Sequence, residues 1–358
     1  MAYSKLKWII AILLLLSLSF MFYNYKGRAA KENVLVEKLL IPVYKKNGKS
    51  SMWEFLPNKK TERLLLKNRE VMIFGDISIN EKWLAYADAI GTGPWELFVK
   101  DLKKEKIYQL TNNDQAGEID IEILNEQPLK IGVSRVGLSS PKPRIWIFDI
   151  DHKKAKMVHP INDDLVFDKI EAIDQNHILA VAYSSKDEEK MFENPSTVDA
   201  IKHTIYMIDL KTEKYKKVTE FKAGSVQSIS YVPGKNVIVF GASHMYLNSV
   251  SRRGETGIYK FDLDYRVIKP LLTESMLKKM NDTPVEQFGY PIAGYLSGNE
   301  TKLWFSGIPK HARKLIFGEG IEAYPNAVFE YDLHKQKVRK IFEKKNTFIT
   351  KMSISYGI

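Results

Sequence analysis

Ile205-Tyr206-Met207-Ile208-Asp209-Leu210 is one of five segments built to a single pattern. The others are Leu97-Phe98-Val99-Lys100-Asp101-Leu102, Ile145-Trp146-Ile147-Phe148-Asp149-Ile150, Ile258-Tyr259-Lys260-Phe261-Asp262-Leu263 and Val328-Phe329-Glu330-Tyr331-Asp332-Leu333. Met52-Trp53-Glu54-Phe55-Leu56-Pro57 is a weaker sixth copy. All six carry an aromatic residue three places before the Asp position, where an aromatic content of 11% gives fewer than one by chance. Short apolar runs ended by a turn residue read as strands, and the Asp reads as a side chain accepting backbone hydrogen bonds in the turn.

Each copy sits in one context: a strand, a turn, an apolar strand, a loop, the aromatic strand, the Asp turn and a Lys-rich strand. The second copy runs Ile77-Ser78-Ile79, Asn80-Glu81-Lys82, Trp83-Leu84-Ala85-Tyr86, the aromatic strand, then Lys106-Ile107-Tyr108-Gln109-Leu110-Thr111. This resembles the TolB-type β-propeller repeat. Ser78 to Ala85 match its Ser-Pro-Asp-Gly-apolar motif, with Asn80 and Glu81 in place of Asp-Gly, and Leu97 to Thr111 match its aromatic-Asp-Leu to Leu-Thr segment. The resemblance covers residues 36 to 358 and implies a fold, not an activity.

The repeat also closes on itself. Lys38 to Tyr44 is already a second-type strand, and Phe348 to Gly357 is an opening strand with nothing after it. The last strand therefore completes the first blade, giving an all-β, six-bladed β-propeller with four-stranded blades and no open edge between first and last. The Asp turns at 101, 149, 209, 262 and 332 are spaced by 48, 60, 53 and 70 residues. The extra length collects at Ser184 to His203, Ala242 to Thr256, Ile308 to Asn326 and Thr273 to Gly289, connections that emerge on one face of a propeller. That elaborated face is the expected binding surface.

In front of this domain (31–358), residues 1–30 form a targeting segment. Trp8 to Tyr23 are apolar or aromatic except Ser17 and Ser19, with Lys5 and Lys7 before them and Lys26 and Arg28 behind. A single-pass N-terminal membrane helix fits, with Tyr23 and Tyr25 at the interface. A cleavable signal peptide, cut near Gly27 to Ala29, is the competing reading. Either places the propeller outside the cytoplasm.

The chain has 358 residues, 54 Lys and Arg against 43 Asp and Glu, a formal charge of +11 and no cysteine. Disulfide scaffolds, Cys-bound metals and thiol nucleophiles are excluded. Lysine rather than arginine supplies most of the positive charge, which argues against nucleic acid and for a solubilising surface with blocked blade edges. Lys103, Lys104, Lys106, Lys153, Lys154, Lys156, Lys214, Lys216 and Lys217 lie on such edges.

No linear catalytic motif is present. His203, His244 and His311 each fall in a second-to-third-strand connection, so three imidazoles from adjacent blades are a candidate site for a divalent metal. Trp95, Arg135, Arg144, Tyr246, Arg252, Arg253, Arg313 and Tyr324 fall in or beside the same connections, a set of cations and aromatics suited to acidic glycans or peptide carboxylates. The carboxylate pairs Asp163-Asp164 and Glu188-Glu189 read as solvated. The sequence thus points to a membrane-anchored extracytoplasmic module binding a protein or an anionic envelope polymer. The alternative is a metal-dependent carbohydrate-active enzyme of lyase or hydrolase type.

Overall fold

A computed structural model describes residues 36–89, 93–112, 116–137, 140–158, 160–194, 199–247 and 254–357. The expected membrane helix, in residues 1–30, lies outside them. Among the described residues no helix is long and apolar enough to cross a membrane.

Six antiparallel sheets follow one another along the chain. Blade 2 holds Phe74–Ile77, Trp83–Asp88, Glu96–Asp101 and Lys106–Gln109; blade 3 holds Ala116–Glu126, Leu129–Gly137, Ser140–Asp149 and Lys154–Val158. Blade 4 is Leu165–Asp174, His177–Ser184, Ile201–Asp209 and Lys214–Ala223; blade 5 is Ser225–Val232, Val237–Met245, Glu255–Asp262 and Val267–Thr273. In blade 6 the first strand is broken into Val285–Phe288 and Gly294–Leu296, followed by Lys302–Pro309, Ala327–Asp332 and Lys337–Phe342.

Blade 1 closes the ring as the sequence implies. Val36–Lys45, Ser50–Leu56 and Thr61–Arg69 are completed by Thr347–Ile349 and Ser353–Gly357, both paired with Val36–Lys45. The register sets Val43 opposite Ile349, Tyr44 opposite Phe348 and Lys45 opposite Thr347. Asn326, just before a blade 6 strand, clamps this joint: its Oδ1 accepts from the Ile349 amide at 2.5 Å.

The repeat residues do what their chemistry suggests. The Asp101, Asp149, Asp209, Asp262 and Asp332 carboxylates each accept backbone amides in the turn that follows them. Four residues on, the chain takes a left-handed conformation at Glu105, Lys153, Glu213, Arg266 and Gln336. The departures from the TolB motif are equally legible. Asn80 Oδ1 accepts from the Lys82 amide at 2.9 Å, as an Asp would, and Glu81 occupies the left-handed position at φ 57° that a Gly would take. Ser297-Gly298-Asn299-Glu300 is a second copy of that turn, with Ser297 Oγ accepting from Thr301 and Lys302 amides.

The core lies between blades. Phe240 stacks on Phe221 of blade 4 at 4.8 Å and on Tyr259 of its own blade at 5.7 Å, while Tyr86 stacks on Phe98 at 5.6 Å. The long connections hold the helices Ser185–Glu193 and Glu274–Lys279 and a small hairpin, Leu315–Ile316 with Glu322–Ala323. All lie on one face, and the short turns lie on the other.

Deleting residues 347–357 should remove cooperative melting of the propeller or lower its midpoint by at least about 10 °C, because blade 1 loses its innermost strand. Asn326→Ala should cost about 1–3 kcal/mol by orphaning the buried Ile349 amide. Thermal and urea unfolding of both variants check these outcomes.

Candidate functional site

The first strand of every blade lines the central channel. Its outward edge pairs with the second strand, but its inner edge has no strand beside it, so amides and carbonyls there need other partners. Side chains from neighbouring blades supply them. Thr350, Ser353 and Ser355 hydroxyls of blade 1 donate to the Ile73, Gly75 and Ile77 carbonyls at 2.9, 2.9 and 2.7 Å. Asp76 of blade 2 accepts from Ile123 of blade 3 at 2.9 Å, and Asp120 of blade 3 accepts from Ile170 of blade 4 at 3.0 Å. Glu171 of blade 4 accepts from Tyr231 of blade 5 at 2.9 Å. Gln227 of blade 5 accepts from Ile292 at 2.6 Å, leading into blade 6. Tyr295 donates to the Met352 carbonyl and Tyr356 to the Leu296 carbonyl, the latter at 2.7 Å, so the ring is complete.

This ring places Asp76, Asp120 and Glu171 in the channel. Glu122, two residues beyond Asp120 on the same strand, lies with them. Above them a funnel of about 690 Å³ opens between the first-to-second-strand turns, lined by Asp76, Glu122 and Glu171, by apolar Ile79, Ile123, Ile173, Ile354 and Tyr356, and at its rim by Asn80, Gln127 and Gln175. Deeper in the channel Lys351 pairs with Asp120, and Lys169 with Asp168 at 2.5 Å.

Electrostatics single out Glu122. Among the described residues no hydrogen bond or ion pair engages its carboxylate, whereas Asp76, Asp120 and Glu171 each hold a backbone amide. Burial raises the Glu122 carboxyl well above its ordinary value, and the Glu171, Asp76 and Asp120 charges push the same way. Burial also raises Glu171 well above its ordinary range, with the Tyr231 amide opposing, and carries Asp76 to about 7 against three hydrogen bonds.

The elaborated face is organised differently from the expected constellation. His203 is 3% exposed, its ring between Tyr183 and Phe221, with Nδ1 3.2 Å from the Ile201 carbonyl. Burial lowers its pKa to about 4. His244 and His311 are exposed, both in left-handed backbone conformations. Among the described residues no three His, Asp or Glu side chains are grouped as a metal requires, so these imidazoles do not fit a divalent ion as placed.

Several of the cations and aromatics staple loops. Trp95 donates its indole N–H to the Met72 carbonyl at 2.8 Å, and Arg144 reaches the Leu165 and Asp163 carbonyls at 2.9 and 3.3 Å. Tyr246 donates to Asp199 at 2.6 Å, and Arg135 sits 3.4 Å from the buried Glu118 carboxylate. Arg313 is exposed, and Lys314 lies 5.9 Å over the Tyr324 ring. Arg252 and Arg253 lie outside the described residues. Asp164, read from sequence as solvated, accepts from Ser184, Ser185 and the Lys186 amide at the helix start, which lowers its pKa to about 2. The funnel acids had one sequence signal, the alternation Glu118-Ile119-Asp120-Ile121-Glu122-Ile123, which marks a strand with acids on one side.

No protein-family model matches the chain, and no curated protein matches it. Solved structures do. TolB from Acinetobacter baumannii superposes with a TM-score of 0.58 at 9% identity over 88% of this chain. The chain spans 66% of the length of that TolB. A chain of the nidogen/laminin complex gives 0.53 at 11% identity, covering 89% of this chain and 98% of its own. A TolB described as putative, from Agrobacterium tumefaciens, gives 0.50 at 11% identity, covering 90% and 99%. At such identities the likeness is one of fold, and the TolB-like architecture read from the repeat is thereby shown.

The funnel carboxyls keep protons at a pH where unfolded carboxyls, with ordinary values of 3.8 and 4.5, have lost them. Above about pH 5 the folded chain then binds more protons than the unfolded one, through Asp76 up to about pH 7 and through Glu122 and Glu171 in the same sense, so these groups make stability fall as pH rises. His203, neutral down to about pH 4, works in the opposite sense below 6.5, one group against three. Glu122→Gln should therefore raise Tm at pH 8 by about 2–4 °C and leave it nearly unchanged at pH 5. Calorimetry at the two pH values tests this, and an equal shift at both would show that charge is not the cause. His203→Ala should cost about 2 kcal/mol through lost packing, with no change in bound metal by elemental analysis.

Proposed function

We propose that the protein is a binding module anchored at the outer side of a membrane by its N-terminal segment, and that its funnel receives a cationic group of a protein partner. The observation that carries this reading is the Glu122 carboxylate, set in a cavity of about 690 Å³ with apolar walls and engaged by no hydrogen bond or ion pair among the described residues, with only the more distant Lys351 charge favouring its ionised form. A lysine or arginine side chain entering the funnel gains a charge-assisted partner there, and its alkyl stem lies along Ile79, Ile173 and Ile354. It also stabilises the ionised form of a carboxyl that burial otherwise keeps protonated.

Two further facts support the reading. The apolar run from Trp8 to Tyr23 suits an anchor, and a chain of the nidogen/laminin complex shares the fold. The surrounding carboxylates are occupied with backbone amides, which favours recognition over acid–base chemistry.

Titration of the full-length protein with trilysine at pH 8 tests the funnel. Glu122→Gln should weaken binding about tenfold. Unchanged affinity in that variant would sink the reading. Alkaline carbonate extraction tests the anchor, since release of the full-length chain into the soluble fraction would reject it.

A further inference from the structure

Closure of the ring creates a second charged site on the opposite face. Lys45 ends the first strand of the described chain and Lys46 opens the turn after it, and Lys344 and Lys345 lie in the linker that enters the closing strand. Pairing of Lys45 with Thr347 brings these residues, about 300 positions apart, to the two sides of one cleft of about 340 Å³. Val43 and Trp53 line it along with Asn47 and Asn346. Two left-handed positions, Gly48 at φ 79° and Asn346 at φ 55°, turn the flanking segments.

The charge in this cleft is poorly offset. Lys344 pairs with Glu62 at 2.5 Å and lies 3.8 Å over the Trp53 ring, and Lys45 donates to the Asn68 amide oxygen at 3.2 Å. Lys46 and Lys345 are exposed, and among the described residues neither has a carboxylate partner. Some lysines of the outer strands are ion-paired, Lys156 with Glu213, Lys217 with Glu220 and Lys340 with Glu343, and others, such as Lys103 and Lys104, stand on an exposed Asp turn. What sets the cleft apart is four lysines on the walls of one cavity. Four ammonium groups against one carboxylate repel one another unless an anion sits among them.

We propose that this cleft binds the phosphate groups of a linear polyanion. The chemistry favours phosphate over carboxylate. No arginine lines the cleft to grip a planar carboxylate in bidentate fashion, whereas lysines act on phosphate as point charges, and the Asn47 and Asn346 amides add donors. The cleft lies on the face of the long connections, whereas the chain enters the domain at Val36 on the face of the short turns. The lysines stand on both walls of the cleft, a form that admits a chain of phosphates, and the vesicle arm of the experiment below separates a polymer from lipid headgroups.

The site is independent of the funnel, and the experiment keeps the two apart. Full-length protein is titrated with sodium polyphosphate of defined length at several salt concentrations, and separately with phosphatidylglycerol vesicles. Lys46→Glu with Lys345→Glu should weaken polyphosphate binding at least tenfold and reduce the slope of log affinity against log salt by roughly one to two. Lys103→Glu with Lys104→Glu, on an Asp turn, should leave it unchanged, as should Glu122→Gln. Should the charge-reversal pair melt early, Lys46→Gln with Lys345→Gln replaces it. Equal affinity in the wild type and the cleft variant, equal loss in the Lys103/Lys104 control, or cleft-dependent binding to vesicles without binding to polyphosphate would each overturn the proposal.

Discussion

A propeller must satisfy the inner edges of its innermost strands. Six strands converge on a channel too wide for them to pair with one another and too narrow for all their amides to be hydrated, and an unpaired buried amide costs on the order of a hydrogen bond's full desolvation. This protein answers with side chains: hydroxyls from blade 1, carboxylates from blades 2, 3 and 4, an amide from blade 5 and phenols across the junction of blades 6 and 1. The blades are thereby tied in order, and the ring does not depend on apolar packing alone.

The same solution creates the site. Carboxyls serve as acceptors for inward amides, and three of them on adjacent blades gather acidic groups at the base of a cavity, two of them pushed by burial toward the protonated form. Lys351 and Lys169 offset acidic charge lower in the channel. Near the mouth Glu122 is left over, with no amide to hold it and three acids around it. The proposed recognition chemistry is thus a by-product of fold chemistry, since the residues that close the ring also set the field in which Glu122 sits.

This explains what the sequence revealed and what it concealed. The Asp turns act locally, each carboxylate binding amides two or three residues away, so Asp101 and Asp209 could be read from spacing. Closure was legible for a similar reason, because a missing first strand and a surplus last one show in the strand order. The funnel acids work at a distance: Asp76 reaches Ile123 and Glu171 reaches Tyr231, separations fixed by blade geometry and not by any local motif. Bulges in the first strands, between Glu118 and Asp120 and between Phe167 and Lys169, further shift which side chains face the channel, and alternation alone does not locate them. The polar residues of the long connections looked like ligands by type, yet Trp95, Arg144 and Tyr246 spend their hydrogen bonds on neighbouring loops.

The joint in blade 1 also sets a timetable. Val36–Lys45 is made about 300 residues before its partner Thr347–Ile349. At roughly 5–20 residues per second, translation separates the two by about 15–60 s. During that interval Leu39, Leu40, Ile41 and Val43, all buried in the finished ring, belong to a strand whose inner edge has no mate. Blades 2 to 5 can form in order as they emerge, but blade 1 cannot be completed until after blade 6. The nascent chain therefore carries an adhesive edge for as long as the roughly 300 residues between the two strands take to be made.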